Sequence, residues 1–218
     1  MSFEEWFPRL VQASLTTLYM VGVSTLLTVL FGLPLGVLLI VSDSKGLSPK
    51  PALNKILGVV VNLTRSLPFI ILLVVLIPFT RWIAGTSIGP TAAIVPLTIA
   101  AVPFFARVTE SALREVPSGL IEAAQAMGSS EWQIVSKVYI PEALPGLVLG
   151  VALTLINLLG YSAMAGAVGG GGLGDLAIRY GYQRFETEVM LVTVVLLVLF
   201  VQMVQSLGDR IAEKVSKR

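Results

Sequence analysis

The sequence contains no cysteine and no histidine. Without cysteine there is no disulfide framework and no thiolate ligand; without histidine there is no imidazole ligand and no Ser-His or Cys-His catalytic pair. Charge is scarce as well. Asp, Glu, Lys and Arg make up 13% of the 218 residues, against roughly 25% in a soluble domain. A chain that is 55% hydrophobic lacks the polar surface to cover its own core in water, which points to a polytopic membrane protein embedded in a lipid bilayer. The net charge of +2 offers no basic footprint for nucleic acid. No Gly-x4-Gly-Lys-Ser/Thr run occurs, so the chain has no P-loop with which to hydrolyse ATP. Glu4, Glu5 and Pro8 stand where a cleaved leader carries basic residues, so the N-terminal segment reads as retained.

What is abundant is long uncharged runs. A helical span needs about 20 apolar residues, and five segments qualify, at roughly 14–41, 56–78, 90–108, 143–163 and 189–207. Gly32, Pro34 and Gly36 in the first read foremost as ordinary glycine and proline of a membrane helix, with a kink or a close helix contact as the alternative. The second is interrupted by Arg65, which costs about 2.5–3.5 kcal/mol at a helix centre on insertion scales. Arg65 either snorkels or pairs structurally, or it stands at the mouth of a pathway. Residues 78–90 read as a tight turn with Arg81 and Trp82 as interfacial anchors. No acid falls deep in a predicted span, so a proton relay lacks its usual residue. Asn157 and Tyr161, four apart on one face, and the neighbouring Ser162 either hydrogen-bond between helices or line a path.

Five spans place the termini on opposite sides. With the N-terminus outside, ten Lys and Arg fall in inner segments and four in outer ones, Arg65 being left out. That asymmetry satisfies the positive-inside rule. Residues 165–175, AGAVGGGGLGD, then form an outer loop, expected to be flexible. Their Gly169-x-Gly171-x-x-Gly174 spacing matches a dinucleotide fingerprint only formally, because it follows a span and not a strand.

Between the third and fourth spans lies the most charged internal segment, which the same count places in the cytoplasm. Pro117, Ser118 and Gly119 break the preceding helix and start a short one. Leu120, Ala124 and Met127 recur at i, i+4 and i+7 as one apolar face, Glu122 lies near the positive end of the helix dipole, and Gly128 suits a left-handed helix stop. Ser130 and Gln133 have capping-box spacing, starting a second short helix that Pro141 is expected to end. A helix docked in a partner's groove and one lying on the inner leaflet fit this pattern equally.

Glu122-Ala123-Ala124, then Gly128, then Val138-x-Ile140-Pro141 resembles the EAA loop of ATP-binding-cassette import permeases, with Val138 and Ile140 conservative departures from the usual Ile-x-Leu-Pro. Over roughly residues 60–180 the chain is similar to the methionine-importer permease family, in the stretches RSLPFIILL, IPFTR, GTSIG, AAIVPLT, LIEAAQAMG, PEALPGLV and GYSAMAGAVGGGGLG. The resemblance implies an all-α, five-span type I importer permease. It implies an extracytoplasmic N-terminus at 1–13, a transmembrane permease domain at 14–208 and a basic cytoplasmic tail at 209–218. The expected assembly is a homodimer with two ATPase subunits, which use the ATP, and an extracytoplasmic substrate-binding protein. Residues 119–128 would be the coupling helix, with Leu120, Glu122, Ala123, Ala124, Met127 and Gly128 meeting the ATPase. The glycine-rich segment would meet the binding protein, and Asn157, Tyr161 and Ser162 would border the substrate path. No cofactor or metal is expected in the chain, and no catalytic site. A permease for another amino acid or small solute is the near alternative, and an ion-coupled secondary transporter or channel is the competing reading from a different class.

Overall fold

The structure, a computed structural model, describes residues 3–216. Met1 and Ser2, and Lys217 and Arg218 of the basic tail, lie outside the described residues. Among the described residues, four helical stretches are long and apolar enough to cross a bilayer: 6–41, 90–114, 131–170 and 187–215. A fifth crossing exists only as a bent pair. The described residues are helices and turns throughout, as expected for a chain whose backbone polar groups must be satisfied inside lipid.

Helix α1 (Phe3–Val41) begins well before the expected span, so residues 3–13 are its first turns. The second span is broken. Helix α2 (Pro51–Ser66) and helix α3 (Phe69–Val75) meet at 104°. Pro68 explains the break: it has no N–H to continue α2, and it forces the preceding Leu67 into extended backbone, at φ −81° and ψ 129°. The expected tight turn at 78–90 is largely helix α4 (Ile77–Ala84), stopped by Gly85 at φ +73°. Helix α5 (Pro90–Arg114) absorbs Pro96 and Pro103 and runs past the expected end at 108.

Helix α6 (Ser118–Ala126) follows, then α7 (Glu131–Ile134). Pro141 does not end this second short helix. A π-helical turn over Val135–Tyr139 carries it into α8 (Ile140–Ala165), with the Ile140 N–H donating to the Val135 carbonyl. The wider turn accommodates a ring that would otherwise clash with the carbonyl four residues back. Past α8 come a kinked turn at Gly166–Gly170, helix α9 (Gly172–Leu176), a second π-helical turn at Ala177–Tyr182 and α10 (Thr187–Val215), which takes up most of the basic tail.

The glycine-rich segment is therefore packed and not a flexible loop. A Cβ on Gly174 would lie 2.3 Å from the Ala163 carbonyl oxygen, and one on Gly166 2.4 Å from the Asp175 nitrogen. The Leu173 N–H donates to Thr17 Oγ1 at 2.9 Å, and the Gly89 N–H to the Gly169 carbonyl at 2.9 Å. The segment is thus tied to α1 and to the turn entering α5.

Helix α5 is the centre, packed against α1, α2, α4 and α8. Small residues set the crossings, as they do where lipid gives helices no hydrophobic drive to associate. On α1, Gly32 and Gly36 make the close-contact reading correct: a Cβ on Gly36 would lie 2.5 Å from Thr109 Cβ and 2.7 Å from the Ala106 carbonyl. On α8, one on Gly150 would meet Val108 Cγ1 at 2.6 Å, and on α10 one on Gly208 would meet Ala152 Cβ at 2.6 Å. Trp6 and Leu10 share a core with Leu176 and Val189 at one end of the bundle. At the other end, Ser216 borders a crevice with Glu115, Pro117 and Pro141. The two ends of the described chain therefore lie at opposite ends of the bundle.

These contacts make a controlled comparison. Gly36→Ala is expected to destabilise the purified protein by about 1–3 kcal/mol, because α1 must move off α5. Gly22→Ala, on the same helix with nothing within 4 Å of its Cβ, is expected to leave the thermal midpoint unchanged or slightly raised. Melting of the two variants in one detergent reads the difference.

Candidate functional site

Two regions gather the polar and exposed groups that a bilayer-embedded helix bundle does not need for its own packing. The first is α6. Pro117 precedes it in extended backbone, at φ −57° and ψ 129°. Its far end closes as a Schellman motif: the Ser129 N–H donates to the Ala124 carbonyl at 3.1 Å and the Gly128 N–H to the Gln125 carbonyl at 2.9 Å. Gly128 sits at φ +74°, where a side chain would be strained. The capping box follows at once, with the Ser130 N–H on Gln133 Oε1 at 2.8 Å and the Gln133 N–H on Ser130 Oγ at 3.3 Å. Between these stops α6 is a rigid two-turn rod.

Its apolar face is not the single surface expected. Ala124 is buried, at 4% exposure, in a cluster with Leu113, Val116, Ile134, Val135 and Tyr139, and Ile121 packs against the same cluster. Leu120 and Met127 stay exposed, at 44% and 78%. The buried meridian is rotated toward Ile121, so α6 grips the bundle along one line and presents Leu120, Glu122, Ala123 and Met127 outward. Trp132, at the start of α7, is 75% exposed.

Beneath α6, an ion-pair chain ties the ends of three helices together. Glu110, 6% exposed, accepts from Arg107 and from Arg114, the latter at 2.8 Å. Arg114 also reaches Asp43 in the α1–α2 loop at 2.7 Å. Arg107 extends to Asn62 Oδ1 on α2 at 3.2 Å. Asn54 donates to the Leu39 carbonyl at 2.7 Å and so fastens α2 to the end of α1. The buried carboxylate thus has a cation on each side, which is what makes its burial tolerable. Arg114 draws the carboxyl of Asp43 below its ordinary value of 3.8, helped by the Lys45 backbone N–H.

The second region is the inside of the α2–α3 bend. Thr64, Arg65, Phe69, Phe104, Asn157 and Tyr161 line a cavity of about 310 Å³. Phe69 and Tyr161 stack with ring centroids 4.6 Å apart and planes 7° from parallel. Asn157 and Tyr161 therefore share one surface, as their spacing suggests. Ser162 does not join them: it is buried, and its hydroxyl donates to the Leu159 carbonyl of its own helix at 2.8 Å. Among the described residues no group of His, Cys, Asp and Glu is arranged to hold a metal ion.

Residues 28–217 match the family model described as the inner membrane component of binding-protein-dependent transport systems. The chain belongs to this family of permeases. It is 52% identical over 218 residues to the probable D-methionine transport system permease protein of Vibrio cholerae, covering 98% of this chain and 97% of that one. To the methionine import system permease protein of Bacillus subtilis it is 42% identical, covering 99% and 100%. Among solved structures, a chain of the MetNI methionine ABC transporter, described as inward facing, superposes with a TM-score of 0.97 at 52% identity, with both chains fully covered. The permease fold is thus shared from end to end, and the protein is a transport component of the inner membrane and not an enzyme.

In this permease the residues picked from sequence divide in three. Glu122, Ala123, Met127, Gly128 and Leu120 come together on the outer side of α6; Ala124 faces inward; Asn157 and Tyr161 meet Arg65 at the bend, while Ser162 stands apart. Sequence reading missed the ion-pair chain. Half its signal was present, since Arg107, Glu110 and Arg114 recur at i, i+3 and i+7 on one helix face. Asp43, 71 residues from Arg114, left none.

The Asp43 pairing has a pH signature. Its folded value is depressed, so its contribution is complete above 3.8 and is lost as pH falls from there through the folded value. Asp43→Asn is expected to cost up to about 1 kcal/mol at pH 7. Its difference from the parent protein should close on acidification below pH 3.8, measured by denaturation at matched ionic strength.

Proposed function

We propose that the chain is the membrane-spanning permease subunit of an ATP-driven importer that carries methionine inward, working as a homodimer with two copies of a separate ATPase and an extracytoplasmic binding protein. The names of its relatives in Vibrio cholerae and Bacillus subtilis support the substrate. The ten-to-four excess of basic residues supports an N-terminus outside and α6 in the cytoplasm. The observation that carries the reading is the construction of α6: a short helix locked at both ends, gripping the bundle through Ile121 and Ala124 and leaving Leu120 and Met127 unburied. An exposed apolar edge on a rigid rod is suited to a cleft in a partner.

The mechanism follows from the same packing. Closure of an ATPase dimer on ATP displaces α6 as a unit, because its caps resist bending. Ala124 and Ile121 pass the displacement to Leu113 and Val116 at the end of α5 and to Ile134, Val135 and Tyr139 at the root of α8. The ion-pair chain from Arg114 to Asp43 and from Arg107 to Asn62 carries α1 and α2 along. The spans then move about the central path as a body, without each residue having to contact the ATPase.

Reconstitution with the ATPase and binding protein in proteoliposomes tests this. Methionine uptake should require ATP, and uptake driven by a proton gradient without ATP would place the protein among ion-coupled carriers instead. Leu120→Asp should leave the permease in the membrane and weaken its co-purification with the ATPase by about tenfold or more, the scale of a central contact in an interface. Gly128→Val, which strains the left-handed stop, should act in the same direction. Undiminished association in both variants would rule out α6 as the docking element.

A further inference from the structure

We propose that the cavity inside the α2–α3 bend is an amino-acid subsite, in which Arg65 holds the carboxylate and the aromatic wall of Phe69, Phe104 and Tyr161 receives an apolar thioether side chain. This rests on the transport reading above and extends it to the residues that recognise the cargo.

Arg65 lies in the last turn of α2, where the chain bends into α3, about 21 Å along the helix from Pro51 at ~1.5 Å per residue. Arg107 and Arg114 at the neighbouring helix end are matched: Glu110 takes both, and Asp43 takes Arg114 again. Arg65 has neither an ion pair nor a side-chain hydrogen bond among the described residues, and no acid lines its cavity. A guanidinium that lines a cavity without a protein carboxylate is matched to a carboxylate that arrives with a ligand.

The other groups fit the remainder of an α-amino acid. The Asn157 amide and the Tyr161 hydroxyl border the same cavity and make no hydrogen bond to the described protein. The amide oxygen can accept from an ammonium group, and the amide nitrogen and the hydroxyl can donate to the second carboxylate oxygen. Leu72 and Ala100 complete the apolar side. A thioether is polarizable and gains from contact with aromatic rings, so the stacked Phe69–Tyr161 pair favours sulfur over a purely aliphatic chain. The volume, about 310 Å³, is at the low end for small-molecule sites, which run from roughly 300 to 1,000 Å³. The site also adjoins a broken span, the kind of place where transporters bind cargo near mid-membrane.

The test uses the complete permease–ATPase–binding-protein complex in proteoliposomes, with assembly read separately by co-purification. Arg65→Gln should assemble and lower ATP-driven uptake of radiolabelled L-methionine by about tenfold or more, with Arg65→Lys recovering part of the loss. In the unaltered complex, a diazirine analogue of methionine should label peptides of α2, α3 or α8 on illumination, with unlabelled L-methionine protecting and L-methioninamide, which lacks the carboxylate charge, protecting poorly. Normal uptake by Arg65→Gln, label confined to other segments, or equal protection by the amide would overturn the subsite while leaving the transport reading intact. An unaltered complex that does not carry methionine with ATP would overturn the transport reading, and the subsite with it.

Discussion

Close approach of backbones to α5 is the constraint from which the rest of the bundle follows. Inside a bilayer, apolar side chains gain little by leaving lipid for one another, so helices associate where their surfaces fit at short range. Gly36 on α1 and Gly150 on α8 permit that fit against Thr109 and Val108, and Gly208 on α10 repeats it one layer further out against Ala152. Helix α5 is thereby held on several sides, in contact with α1, α2, α4 and α8. Its far end carries Leu113 and Val116 under α6 and Arg107, Glu110 and Arg114 toward α1 and α2. Packing and charge thus converge on the same helix end.

The two interruptions of regular helix serve different ends. At Val135–Tyr139 the π-helical turn lets one continuous helix absorb Pro141, so that α7 and α8 form a single uninterrupted rod. At Leu67 and Pro68 the chain bends by 104°, and the side chains inside the bend face a cavity instead of another helix. One break preserves mechanical continuity, and the other makes room. The glycine-rich turn after α8 adds a third kind of contact. Backbone meets backbone there so closely that Gly166 and Gly174 have no space for a side chain, and Thr17 on α1 supplies the oxygen that anchors Leu173.

Much of the site at α6 could be read from residues alone because local physics fixes it. A proline start, a glycine stop and a Ser-x-x-Gln box act within one or two helical turns, and each occurs where the sequence placed it. The side of α6 turned to the bundle could not be read, since Leu120, Ala124 and Met127 are equally apolar and only the position of Leu113, Val116 and Tyr139 decides which of them is covered. The bend at Pro68 was hidden for a related reason. A largely apolar run satisfies a hydropathy window whether the helix is straight or broken, and although Pro68 ends α2 locally, the direction α3 then takes depends on the helices around it.

The sequence by itself determined that this is a multi-span membrane protein without a P-loop of its own, with a charged, capped helix between its third and fourth crossings. Those properties follow from composition and from interactions spanning a few residues. Tertiary structure decided what touches what. It paired Asp43 with Arg114, packed the glycine-rich segment against α1, separated Ser162 from Asn157 and Tyr161, and brought Arg65 to the latter two across nearly a hundred residues of chain. Such pairings depend on which helices lie side by side, and hydrophobicity around those helices does not encode it; the shapes left by glycine at the crossings do.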